Sequence, residues 1–173
     1  DNIIDVFENS GTRGDKYITC DVARFGEDKS VIMLWDGLQV ERIITYNKNT
    51  ITELADRIKE VQMDNEVLLN NIIVDSDGVG GGVADILRCK NFVNNSTPIN
   101  KENYRNLKTQ CYYILSEKIN KKEIGISISD ITIKKRIIQE LEQVRRKDID
   151  KDQKLSIIGK DVVKSRSEEH TSE

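Results

Sequence analysis

Apolar and polar residues alternate from Lys16 to Val22, with Ile18, Cys20 and Val22 on one side and Tyr17, Thr19 and Asp21 on the other. That period of two predicts a β-strand. Ser30 to Trp35 is a nearly continuous apolar run, the pattern of a strand buried on both faces. Asp36-Gly37 separates it from a third strand-like run, Leu38 to Tyr46. An Asp-Gly pair at that place predicts a hairpin, with a type I′ turn and positive φ at both positions. Thr50-Ile51-Thr52-Glu53 has the form of a capping box, and Ile51, Leu54, Ala55 and Ile58 follow at helical spacing, predicting an amphipathic helix to about Met63.

Asn71 to Asp75 reads as a short apolar strand ending in a carboxylate. Gly78, Gly80, Gly81 and Gly82 then lead into a helix through Val83, Ile86 and Leu87. A weak strand is expected at Phe92-Val93. A long helix is expected over Glu102 to Asn120, with Tyr104, Leu107, Cys111, Ile114 and Leu115 as its apolar stripe. Ile124, Ile126 and Ile128 alternate as a strand. Ile131 to Lys147 reads as a helix with Ile133, Ile137, Leu141 and Val144 inward, and Leu155 to Ile158 as a last short strand. Residues 1 to 15 are polar and irregular, as in a leader or linker, ahead of one domain over residues 16–165.

This order predicts an α/β fold: a mixed sheet, with a three-strand antiparallel meander and parallel strands, flanked by helices. A meander runs strands one and three in the same direction. A right-handed crossover through the helix after strand three then sets strand four parallel to strand one. In open α/β sheets the functional crevice lies beyond the carboxyl ends of the strands at the switch point. Here that point falls between strands one and four, and each ends in an aspartate.

Composition narrows the function classes. The chain has 173 residues and a mass of 19.8 kDa, with 37% apolar and 33% charged residues, enough for a folded domain. No run of eighteen apolar residues is present, so no membrane-spanning helix is expected. No secretory signal is expected from Asp1-Asn2-Ile3-Ile4-Asp5. Cys20, Cys89 and Cys111 are odd in number and form no CxxC pair, which argues for a reducing compartment and against a zinc knuckle. Net charge is −3, but it is unevenly spread: residues 1–100 carry 10 basic and 17 acidic side chains, and residues 101–165 carry 16 and 10. An acidic half that holds cations joined to a basic half that faces phosphates suits a phosphodiester-cleaving domain, although ordinary solvated faces give the same numbers.

Arg166 to Glu173 matches the translated form of a sequencing adapter and is expected to be an artefact. His170, the only histidine, falls within it, so histidine-based catalysis is excluded for the rest of the chain.

Asp21 and Asp75 are the chemistry-bearing candidates. Neighbouring strands lie about 4.8 Å apart, close enough for two carboxylates to share a cation. Mg²⁺ and Mn²⁺ prefer such hard oxygen ligands. Each residue alone has an ordinary explanation, as a turn cap or an acceptor for a backbone N–H, and only the pairing favours metal. Asp77 is a candidate outer ligand or an Asx turn into the glycine loop. Asp28 reads as a turn residue, and Asp85 as a helix-face residue or a partner for Arg24 or Arg88. The glycine loop is neither GxGxxG nor a Walker loop; its glycines suit a sharp turn and close helix packing. Lys134, Lys135, Arg136, Arg145, Arg146 and Lys147 form a basic stretch, either solvated or facing a DNA backbone.

Asp21-Val22-Ala23-Arg24-Phe25-Gly26-Glu27-Asp28-Lys29-Ser30-Val31 resembles the first nuclease motif of the large terminase subunit of tailed bacteriophages. Asp75-Ser76-Asp77-Gly78-Val79-Gly80-Gly81-Gly82-Val83-Ala84-Asp85 resembles the second. Asn106 to Tyr113 is similar to a further signature helix, and Gly159-Lys160-Asp161 to the approach to a third motif. The resemblance implies a ribonuclease-H-like fold and a metal-dependent endonuclease that cuts concatemeric viral DNA during packaging. It implies Asp21 and Asp75 as catalytic metal ligands for two Mg²⁺ or Mn²⁺ ions. The third carboxylate is implied just after Lys160 to Lys164, where this chain departs from the pattern, so the fragment is expected to lack one ligand and to cut weakly or not at all. Double-stranded DNA, the portal, the small terminase subunit and the host cytoplasm follow from the same resemblance. The rival readings are a non-catalytic DNA-docking or motor-coupling module of the same fold, and an actin-like ATPase. The latter needs a phosphate loop for which the Asp36-Gly37 turn is too short.

Overall fold

The computed structural model describes residues 2–23, 29–47, 50–75, 77–78, 80–146 and 154–158. Arg24, Asp28, Lys147, Gly159-Lys160-Asp161 and the suspected adapter with His170 lie outside the described residues. The chain divides into two compact units, Asp1–Asn94 with Lys118–Ile128, and Asn95–Glu117 with Ser129–Glu173.

The first unit is built on one six-stranded sheet. Its strands are β1 (Lys16–Asp21), β2 (Lys29–Asp36), β3 (Gln39–Asn47), β4 (Ile72–Asp75), β5 (Lys90–Phe92) and β6 (Gly125–Ile126), in the order β5-β4-β1-β2-β3-β6. The meander β1-β2-β3 is antiparallel, and β4 lies parallel to β1 with Ile18↔Ile72, Thr19↔Ile73 and Cys20↔Val74 in register. This is the crossover that the strand pattern predicts. Beyond it, β5 runs parallel to β4, and β6 closes the far side parallel to β3.

Helices α2 (Ile51–Asp64) and α3 (Gly80–Leu87) follow β3 and β4. The alternation in the strands turns Ile18, Cys20, Ile32, Leu34, Ile72 and Val74 into one buried cluster with Leu54, Ala55, Ile58 and Val61 of α2 and Val83, Ala84 and Leu87 of α3. Removing these side chains from water is the main stabilising term of the unit. The capping box of α2 forms as the sequence predicts: the Thr50 hydroxyl accepts from the Glu53 N–H at 3.1 Å, and the Glu53 carboxylate from the Thr50 N–H at 2.9 Å.

Residues 2–15, for which the sequence suggested a leader or linker, belong to this unit. They open with α1 (Asn2–Asp5), and Val6 is 1% exposed. The Ile126 N–H donates to the Val6 carbonyl, and the Thr12 N–H to that of Glu123. The same segment sets the β2–β3 turn. The Gly37 and Leu38 N–H groups donate to the Asp15 and Thr12 carbonyls, and the Asp36 carboxylate accepts from Gly14 N–H and Arg13. Gly37 takes φ 57° while Asp36 closes β2, so the turn sits one residue later than the expected type I′ and needs positive φ only at its first position.

The second unit contains a 3-10 turn at Ile99–Lys101, most of α4 (Leu107–Asn120), α5 (Ile131–Glu142) and a two-stranded ladder of β7 (Arg145–Arg146) and β8 (Ile157–Ile158). Asn106 caps α4 by accepting from the Thr109 N–H at 2.9 Å, and Asp130 caps α5 by accepting from Thr132 and Ile133. The expected apolar stripe of α4 is not what is buried: Cys111 and Ile114 are exposed, whereas Thr109 and Gln110 are buried. Gln110 explains the difference. Its side-chain oxygen accepts from the Ile99 N–H at 2.7 Å, and its amide donates to the Ile99 carbonyl and the Glu102 carboxylate. The expected helix to Lys147 also ends early, at Glu142, because the chain turns into the β7–β8 ladder. No helix among the described residues is long and apolar enough to cross a membrane.

Candidate metal centre

β1 and β4 position Asp21 and Asp75. Cys20 and Val74 are register partners and both buried. One step further along each strand the side chains change face together, so Asp21 and Asp75 share the face opposite the core cluster. Asp21 is exposed and Asp75 half-buried. The strand spacing of about 4.8 Å sets the scale of their separation.

Each aspartate is tethered by its surroundings. Beyond Asp21, the Ala23 N–H donates to the Ser30 hydroxyl of β2 at 3.0 Å, and Ser30 is itself buried. Asp75 accepts from the Asp77 N–H on its Oδ1 at 2.9 Å, so it is Asp75 that makes the Asx turn considered for Asp77. The first turn of α3 crowds this point, and a Cβ on Gly80 would overlap the Asp75 carbonyl. Only glycine admits so close an approach. Among the described residues no Lys or Arg forms an ion pair with Asp75. Cys20, between the core and this rim, has its thiol pushed up to about 12, first by burial and then by the charges of Asp21, Cys89 and Asp75.

Asp77, a candidate outer ligand in the sequence, has one carboxylate oxygen bonded to Asn94. Its Oδ2 accepts from the Asn94 N–H at 3.1 Å and also from the Asn94 side-chain amide. Asn94 has no motif to announce it; it follows β5 at the same offset by which Asp77 follows β4, which only the register reveals. Asp85 is exposed on α3. Among the described residues, no group of three or more His, Cys, Asp or Glu side chains is placed to hold a metal ion.

Two carboxylates at the ends of neighbouring strands supply hard oxygen donors of the kind a divalent cation prefers. Asp75 keeps Oδ2 without a hydrogen-bond donor among the described residues. The donor set therefore fits a divalent ion, with two protein carboxylates in place.

The basic candidates separate. Lys134 and Lys135 lie on α5, half-buried and exposed respectively, and the neighbouring Arg136 pairs with Glu140 at 3.1 Å. Arg145 and Arg146 form β7 instead of continuing that helix.

The fold is shared with known nuclease domains. The nuclease domain of the large terminase subunit gp2 of bacterial virus Sf6 superposes with a TM-score of 0.78 at 17% identity, over 96% of this chain and 90% of that one. A single-residue variant of the Sf6 domain with manganese gives 0.73 at 16% identity, over 91% and 85%. The large terminase nuclease from thermophilic phage G20c with bound magnesium gives 0.56 at 20% identity, over 98% and 95%. No protein-family model and no curated protein sequence matches the chain. The chain thus has the ribonuclease-H-like fold of large terminase nuclease domains.

Proposed function

We propose that the chain is the nuclease domain of a large terminase subunit of a tailed bacteriophage, a metal-dependent endonuclease acting on double-stranded DNA during genome packaging. The observation that supports the reading is the parallel β1–β4 pairing, which runs to Cys20↔Val74, one residue before Asp21 and Asp75, in a fold shared with nuclease domains seen with manganese and magnesium. Asp21 and Asp75 would hold Mg²⁺ or Mn²⁺, two ions in a complete site. A bound divalent ion supplies Lewis acidity where negative charge develops on the phosphodiester oxygens.

The chain's own residues do the positioning. The β1–β4 pairing supports the strand ends one residue before Asp21 and Asp75, Ser30 holds the backbone leaving Asp21, and the Asp77 N–H fixes one oxygen of Asp75. Lys134, Lys135, Arg145 and Arg146 are proposed to neutralise backbone phosphates, a contact that positions DNA without reading its sequence. Portal and small terminase subunit are the partners this function requires, in the cytoplasm of the infected host.

The test is nicking of supercoiled plasmid with Mn²⁺. Slow nicking or none is expected, since two carboxylates are a sparse ligand set, and Asp21→Asn or Asp75→Asn is expected to abolish any that occurs. Nicking that both variants retain at full rate would contradict the assignment.

A further inference from the structure

We infer that Asn94 is a positioning residue for the metal centre, acting on Asp75 through Asp77. The inference rests on the cation reading of Asp21 and Asp75. β5 pairs with β4 so that Asp75 stands opposite Phe92. From that pair each strand continues past its end, one to Asp77 and the other to Asn94. There the Asn94 N–H donates to Asp77 Oδ2 at 3.1 Å, and the Asn94 side-chain amide donates to the same oxygen. Asp77 in turn donates its N–H to Asp75 Oδ1 at 2.9 Å. Three residues from two neighbouring strand ends are thus linked in series, and the last link ends on the carboxylate that would grip the ion.

The chemistry gives this series a direction. Hydrogen bonds to an ionised carboxylate are charge-assisted and strong, so two donors on one oxygen fix the Asp77 side chain and, with it, the backbone that carries its N–H. That N–H occupies Oδ1 of Asp75 and restrains rotation of the carboxylate, leaving Oδ2 for a cation. Asn94 performs this without introducing a positive charge, so the rim keeps its full negative potential. A Lys or Arg in its place would hold Asp77 equally well but would compete with the ion. Partners that orient a ligating carboxylate typically govern metal affinity by about 10–100-fold.

The experiment is a Mn²⁺ titration of the full 173-residue chain followed by electron paramagnetic resonance of the free ion, with the melting temperature of each metal-free variant measured alongside. Asn94→Ala is expected to weaken Mn²⁺ binding by about 10-fold or more. Asn94→Asp, which keeps the shape and the backbone N–H but sets a like charge against Asp77, is expected to do the same. Asp77→Ala is expected to weaken binding, and adding Asn94→Ala to it to change nothing further, because both cut the same series. A merely structural Asn94 would lower the melting temperature and leave Mn²⁺ affinity unmoved. Full affinity in both Asn94 variants, or losses that multiply in the double variant, would overturn the inference. If Asp75→Asn abolishes binding while the Asn94 variants do not weaken it, only the positioning role falls. If Asp75→Asn itself leaves binding intact, the cation reading falls and the inference with it.

Discussion

Different physics organises the interior of each unit. In the first, strands and helices interlock through fully buried Ile18, Ile32, Ile58, Ile72 and Val74, and apart from Pro98 the buried apolar side chains among the described residues belong to it. In the second, the buried polar positions Thr109, Gln110 and Ser156 stand out, and α5 buries none of its residues completely. One unit is a packed interior. The other is organised by directed hydrogen bonds, chiefly those of Gln110 to the Ile99 backbone and Glu102. The difference places the candidate carboxylates on the ends of strands that a dense core holds, the kind of rigid support that a ligand site requires.

The largest expected effect probes that contrast directly. Ile72→Ala removes a fully buried side chain from β4 and is expected to cost about 2–5 kcal/mol in urea unfolding. Ile137→Ala, on half-buried α5, is expected to cost clearly less. Equal costs would break the comparison. Next in size, Gln110→Ala is expected to cost about 1–3 kcal/mol, since it leaves the Ile99 N–H and carbonyl without their side-chain partner. A neutral result would show that the second unit does not depend on that polar link.

The smallest effect concerns the surface of the first unit. The Thr50 N–H, and after it the Thr50 hydroxyl, hold the Glu53 carboxyl below its ordinary value of 4.5. A carboxyl lowered in the folded state adds stability that is complete above its unfolded value and lost as pH falls through the folded one. Carboxyl titration by NMR is therefore expected to place Glu53 below an ordinary glutamate, and Thr50→Ala, which removes the hydroxyl but keeps the backbone N–H, to reverse only the smaller part of that shift. An unshifted Glu53 would remove the cap from the account of α2.

What the sequence makes legible follows the same division. The strands β1 to β4 and helix α2 are visible because burial there coincides with a period of two or of 3.6, and the crossover that pairs β1 with β4 follows from chirality. The α4 stripe is not visible. Asn100 and Lys101 both take positive φ, and the backbone of that turn is held by a buried glutamine that lies outside the expected apolar stripe. Arg145 and Arg146 read as helix because nothing local announces their pairing with Ile157 and Ile158. The integration of residues 2–15 likewise depends on contacts with Glu123 and Ile126, more than a hundred positions away. At the candidate site, Asp21 and Asp75 are legible as strand-terminal carboxylates. The engagement of Asp77 by Asn94 is not, since it exists only once β5 is registered against β4.

The most direct test of the cation-holding rim is Mn²⁺ binding to the chain itself, compared with Asp21→Asn and with Asp75→Asn, each checked for an unchanged fold by circular dichroism. Binding that either substitution alone removes is the expected result, because both carboxylates are needed to grip the ion. Binding of equal strength in the parent and in both variants would contradict it.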